Sequence, residues 1–177
     1  MNLLLRLLPT SLPTFVREEI LSELFTATAQ AFGCERPELD GLNCAETLQV
    51  YAEFTRDRAE AALRSGDDLA AIEASLYANA YPLGRKLRRV LAVDEMDEVL
   101  ALGQRLYGAI GVDFHGDQDG QVTVTDCYFR RYYSGPVCAL ISALDRGVFA
   151  GLSGGWQLEF SERLTEGASA CRAWLRS

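Results

Sequence analysis

Residues 111–163 read GVDFHGDQDGQVTVTDCYFRRYYSGPVCALISALDRGVFAGLSGGWQLEFSER, and the chain changes character where they begin. Before Gly111 nearly everything carries helical spacing. After it, turns and alternation take over. His115 to Gly120 is dense in Gly and Asp and predicts a turn. From Gln121 to Tyr128 the pattern alternates, with Val122 and Val124 on one face and Thr123, Thr125 and Cys127 on the other, which predicts a strand. Ser134-Gly135-Pro136 opens a short helix over about Val137 to Ala150, with Gly151 to Gly155 as its end. Trp156 to Arg163 alternates again. Glu166-Gly167 then turns the chain, and Ala170 to Leu175 supplies a last strand.

Working back towards the N-terminus, four helices are expected. The first runs from Phe15 to about Phe32, capped by Thr14 and ended by Gly33, with Val16, Ile20, Leu24, Ala27 and Ala31 as its apolar stripe. Asn43 with Glu46 three residues on has the form of a capping box and starts a second helix, which runs to about Arg64. Asp68 caps a third that continues through Leu91, with a kink or break expected near Tyr81 because Pro82 follows it. Asp94 and Asp97 open a fourth, ending near Ala109. The expected architecture is α+β over residues 1–177 as one domain. A helical half, residues 1–110, packs on a small antiparallel sheet with one inserted helix, residues 111–177.

At 177 residues the chain can bury one good core, and an apolar fraction of 49% fits a globular protein. The net charge of −8 argues against nucleic acid and anionic membranes as partners and suits a small-molecule or protein partner, including a second copy of the chain. Sixteen of the seventeen cationic residues are Arg, which is read as compositional bias. The apolar runs fall short of the roughly 20 residues that a spanning helix needs. The N-terminal stretch from Met1 to Pro9 lacks the basic start and small-residue cleavage site of a signal peptide, so a cytoplasmic setting with reduced thiols is expected.

The residues with chemistry are few. His115 is the only histidine, so a multi-histidine metal site is excluded. No phosphate-binding glycine loop and no Cys-x-x-Cys pair occurs. Cys34 and Cys44 read as small buried hydrophobes. Cys127, Cys138 and Cys171 lie at the end of a strand, the start of a helix and the start of the last strand. Together they form a core cluster, a zinc site completed by a fourth ligand, or the surroundings of one reactive thiol. Cys138, in the first turn of its helix, is the candidate nucleophile, since the helix dipole there favours a thiolate. Ser142 and Asp145 share its face at i+4 and i+7. Asp145, Glu166 and His115 are the candidate bases or orienters. Arg130 and Arg131 are interleaved with Tyr128, Phe129, Tyr132 and Tyr133, a pattern that can bind a carboxylate through Arg within an aromatic pocket. Arg85, Lys86, Arg88 and Arg89 read as a solvated helix end.

The stretch from Val124 through Phe129, Val137-Cys138 through Leu144-Asp145, and Leu158 through Gly167 to Cys171 resembles the C-terminal part of the L-2-amino-thiazoline-4-carboxylic acid hydrolase-like family. Cys127, Cys138, Asp145, Arg163, Gly167 and Cys171 occupy its motif positions. The resemblance implies hydrolytic opening of a small cyclic amino acid. The turn glycine followed by a Cys in the last strand also resembles 4-vinyl-reductase-type ligand-binding domains, which implies a non-catalytic pocket.

The first expectation is therefore a small cytoplasmic hydrolase acting on a C=N or amide carbon. Cys138, Asp145 and His115 are its candidate catalytic residues, and Arg130, Arg163, Tyr133, Cys127 and Cys171 its candidate substrate-binding residues. No cofactor is required. The second expectation is a ligand-binding or accessory module in which the same residues line a pocket, with zinc as the candidate metal. The third is a structural protein that dimerises through its helical half.

Overall fold

A computed structural model describes residues 12–176, so the reading of Met1 to Pro9 lies outside the described residues. Five helices and a four-stranded sheet follow one another: α1 (Thr14–Ala31), α2 (Cys44–Ser65), α3 (Leu69–Leu91), α4 (Met96–Ala109), β1 (Val112–Gly116), β2 (Gln121–Cys127), α5 (Gly135–Ser153), β3 (Gln157–Glu162) and β4 (Cys171–Arg176). The sheet order is β1-β2-β4-β3, and every pair is antiparallel. The protein is thus α+β, with α5 inserted between the two halves of the sheet.

Most boundaries follow from caps. Asn43 accepts from the backbone N–H of Ala45 and Glu46, while the Glu46 carboxylate accepts from the Asn43 N–H, so the capping box forms in full. Asp68 caps α3 through the Ala71 N–H at 3.1 Å. Thr14 is the first helical residue of α1 rather than its cap. Pro13 precedes it, and its carbonyl accepts from Val16 and Arg17. Pro82 does not break α3, which runs unbroken from Leu69 to Leu91. Its ring faces solvent, while Leu76, Ala80, Leu83 and Gly84 hold that stretch of helix in the core.

Two other differences matter more. His115 and Gly116 belong to strand β1, not to a turn: His115 pairs with Thr123 and Gly116 with Val122. The turn is shorter, because the Asp117 carboxylate folds back to accept from the N–H of Asp119 and Gln121. Helix α5 continues past Ala150 through Gly151 to Ser153 and stops at Gly154, whose φ of 84° closes it in the left-handed region.

Helix α5 is the centre of the molecule. It is long and apolar enough to cross a membrane by length and composition alone, but 67% of it is buried within the protein. A helix apolar on nearly all sides belongs in a core when other elements surround it. Here α5 touches all four other helices and β3. Against α3 the approach is backbone to backbone. A methyl at Gly147 would strike the Tyr77 carbonyl, one at Gly151 the Tyr81 carbonyl, and one at Gly84 the Val148 carbonyl. Only glycine allows that spacing. On its other side α5 faces the sheet, whose inner surface carries Val112, Phe114, Val122, Val124, Leu158, Ala173 and Leu175.

Candidate functional site

Between α5 and the sheet the packing leaves a cavity of about 110 Å³. Cys138, Ile141, Ser142, Leu144 and Asp145 line it from α5, as the i, i+4, i+7 spacing requires. Val112 of β1, Val124 and Cys127 of β2, Phe160 of β3 and Cys171 of β4 form the opposite wall. The register explains the placement of the thiols: Cys127 pairs with Val112, and Cys171 pairs with Val124 on the neighbouring strand. Tyr51 of α2, Tyr107 of α4, and Phe129 and Tyr133 of the turn after β2 close the rim.

Asp145 is the most perturbed acid of the pocket. It is half-buried, lining this cavity on one side and a smaller one beside Leu83 and Leu106 on the other. Burial pushes its carboxyl up to about 6, although the Tyr107 hydroxyl donating at 2.6 Å and the charges of Arg163 and Arg146 all pull it back down. Tyr107 is itself held by rings: its centroid lies 5.3 Å from Phe114 and 5.6 Å from Phe149, and those two stack at 5.4 Å. The donor to Asp145 is therefore fixed by contacts to β1 and α5. Burial, with Asp145 nearby, holds the Tyr107 phenol well above its ordinary range, so it stays protonated and able to donate. The Tyr133 phenol, also buried, shifts the same way and hydrogen-bonds Thr55 of α2.

The three thiols run against the expected chemistry. Burial pushes Cys127 up to about 12, and burial also raises Cys138 and Cys171. Near Cys138, Thr165 and the Arg163 charge favour the thiolate, but desolvation outweighs them. The expected thiolate at the start of α5 is thus corrected. The helix dipole is worth at most about 1–2 kcal/mol, and it acts here inside a largely apolar cavity that penalises any charge. Cys171 accepts a hydrogen bond from the Leu164 N–H at 3.3 Å, a structural role. Among the described residues, no three Cys, His, Asp or Glu side chains are grouped so as to hold a metal ion. The three thiols line one cavity from two sides, Cys138 from α5 and Cys127 and Cys171 from the sheet.

Arg163 supplies the positive charge. It follows the bulge at the end of β3, with its guanidinium carbon 4.7 Å from the centroid of the Phe160 ring. One terminal nitrogen donates to Ser142 at 3.2 Å, while its Nε is buried with no acceptor. No ion pair joins it to Asp145 among the described residues. A buried cationic N–H without a partner costs about 1–3 kcal/mol unless something fills the gap.

Six of the eight candidate residues therefore meet in one cavity: Cys127, Tyr133, Cys138, Asp145, Arg163 and Cys171. The other two do not. His115 points from the outer face of β1 and bonds the exposed Asp113 carboxylate at 2.9 Å. Arg130 is exposed and lies 3.5 Å from Asp126. The 3-10 turn over Tyr128–Arg131 explains it, turning Phe129 inward and Arg130 outward. Arg131 stacks on Tyr128 at 4.3 Å, so the Arg–aromatic interleaving is partly surface packing. Tyr107 and Phe160 line the pocket without having been singled out as site residues. A tyrosine on the buried side of α4 needs an acceptor, and Asp145 needs a donor, which was the available signal. No protein-family model, curated protein or solved structure matches this chain.

Proposed function

We propose that the protein binds a small organic acid with an apolar body in the cavity between α5 and the sheet. The observation that carries this reading is the Nε of Arg163, buried at the cavity with no acceptor. A carboxylate there would complete the hydrogen bonding of Arg163 and form with it the direct ion pair that Asp145, among the described residues, does not. The largely apolar lining takes the body of the molecule, in the usual manner of small-ligand sites. The test is calorimetric titration with 4-methylpentanoate and with its neutral amide. The acid is expected to bind and the amide to bind at least about tenfold more weakly, with the difference lost in Arg163→Gln. Equal binding of acid and amide would sink the reading.

A second reading, hydrolysis of a carbon–nitrogen bond in that acid, is favoured by Asp145 titrating near 6 at the same cavity. A base near neutrality suits proton transfer. Asp145 would take a proton from water, whose oxygen attacks the amide or C=N carbon. The C–N bond then breaks as the nitrogen receives the proton. The thiols, held neutral, line the site rather than attack. This mechanism accords with the family resemblance in reaction type and departs from it in the nucleophile. Release of amine or ammonia from small N-acyl and cyclic amidine acids is expected to vanish in Asp145→Asn and to persist in Cys138→Ser. Loss in Cys138→Ser with retention in Asp145→Asn would restore the thiol mechanism.

A further inference from the structure

The inner cavity does not stand alone. Beside it lies an outer groove of about 560 Å³ between β3, the first half of α5 and the junction of α2 with α3. Phe160 and Arg163 line both spaces, so the two adjoin at those side chains. At about 110 Å³ the inner cavity is well below the roughly 300 Å³ at which small-ligand sites begin. The outer groove brings the combined space into the range of a complete ligand.

Arg146, which lines the groove, carries a second buried guanidinium N–H without an acceptor, its Nε. Arg146 differs from Arg163 in one respect. Its terminal nitrogen already forms an ion pair with Glu73, which also lines the groove. Its charge is matched, so its spare N–H calls for a neutral acceptor such as a carbonyl oxygen. Arg163, which forms no direct ion pair among the described residues, has room for an anion. Three demands therefore surround one junction: a short apolar chain inward, a carboxylate at Arg163 and a carbonyl outward at Arg146. Leu63, Leu69 and Leu140 give the outer arm apolar walls.

Resting on the reading above that Arg163 holds a carboxylate, we propose that the ligand is an N-acyl α-amino acid with a small aliphatic side chain. A single tetrahedral carbon then presents all three arms. The side chain enters the inner cavity, the carboxylate sits on Arg163, and the acyl carbonyl accepts from the Nε of Arg146. Because three different arms meet three different surfaces, one enantiomer fits and its mirror image does not.

The experiment is titration of the full chain with N-acetyl-L-leucine, N-acetyl-D-leucine and 4-methylpentanoate. N-acetyl-L-leucine is expected to bind about tenfold more tightly than 4-methylpentanoate and than its own enantiomer. Arg146→Met is expected to erase the gain from the acetyl group, read as the ratio of N-acetyl-L-leucine to 4-methylpentanoate affinity within that variant. An acetyl group that adds nothing, or enantiomers that bind alike, would overturn the proposal using the natural protein alone. A gain that survives in Arg146→Met would do so too. If 4-methylpentanoate binds through Arg163 and the acetyl group adds nothing, this proposal fails and the carboxylate reading stands. If none of the three binds, both fail.

Discussion

The two sides of helix α5 solve opposite problems. Towards α3, Gly147 and Gly151 lie against the Tyr77 and Tyr81 carbonyls and Gly84 against that of Val148, with no room for even a methyl group. Towards the sheet, Cys138, Ser142 and Asp145 leave an open cavity with a buried acid and an arginine N–H without an acceptor. One side brings backbones together and gains dispersion contacts over its whole length. The other holds polar groups in low dielectric, which costs free energy. The same helix can tolerate the second side because the first holds it in place.

The comparison breaks most visibly at the glycine seam. In Gly151→Ala the new methyl meets the Tyr81 carbonyl, which is backbone and cannot rotate away. Separating two packed helices is expected to cost at least about 2 kcal/mol, lowering the melting temperature by roughly 4–8 °C. Gly108→Ala, in α4, provides the contrast. Nothing lies within 4 Å of its added methyl and its φ is ordinary, so the same change is expected to stabilise by about 0.5–1 kcal/mol. Thermal melts of the two variants that moved in the same direction would show that the seam is not what holds α5.

The pocket side has the reverse sign. Asp145 titrates near 6 in the folded protein against 3.8 for a free carboxyl. Between those values the folded state binds more protons than the unfolded one, so stability falls as pH rises from about 4 to 6. At pH 7 the whole penalty is present, on the order of 3 kcal/mol for a shift of this size. Asp145→Asn removes the titration, and the amide oxygen still accepts from Tyr107. The variant is expected to be more stable than the natural protein at pH 7, by up to that amount, and its pH profile between 4 and 6 to be flatter. Under the hydrolytic reading it is also expected to release no amine or ammonia from the test substrates. Denaturant unfolding at pH 4 and pH 7 measures both points. A variant less stable at pH 7 would mean that the carboxylate is stabilised in place and that the pocket stores no strain.

How much of this was legible follows from how local each signal is. Caps and alternation are local, so α2, α3, β2 and the α+β class could be read directly. The shared face of Cys138, Ser142 and Asp145 followed from helical geometry alone. Strand β1 was lost because only Val112 and Phe114 alternate before the Asp117 turn. The length of α5 was misread because Gly151 carries two meanings. In sequence it is a helix stop, while in space it is the point where α3 comes too close for any side chain. The thiol acidity of Cys138 was misjudged for a related reason. The helix terminus is written in the local sequence, but the apolar wall that opposes it comes from β1, β2 and β3, distant in the chain. Arg130 and Arg163 looked equivalent as carboxylate binders until a 3-10 turn sent one outward and a bulged strand end sent the other in.

That last contrast gives the smallest expected effect and sharpens the boundary of the site. His115, Asp113 and Thr125 form a hydrogen-bonded group on the outer face of the sheet, where the hydroxyl of Thr125 donates to Asp113 and His115 bonds the same carboxylate. These contacts hold Asp113 below its ordinary range, chiefly through Thr125, but the whole group is exposed. Exposed pairs of this kind contribute between zero and about 1 kcal/mol. The sheet also separates them from the inner-face residues Val112, Phe114 and Val124. His115→Ala is therefore expected to shift stability by less than about 0.5 kcal/mol and to leave binding of 4-methylpentanoate unchanged. Arg163→Gln, on the other face, is expected to weaken that binding at least about tenfold. If His115→Ala weakened it comparably, the chemistry would reach through the sheet, and the division between a working face and a solvated face would have to be redrawn.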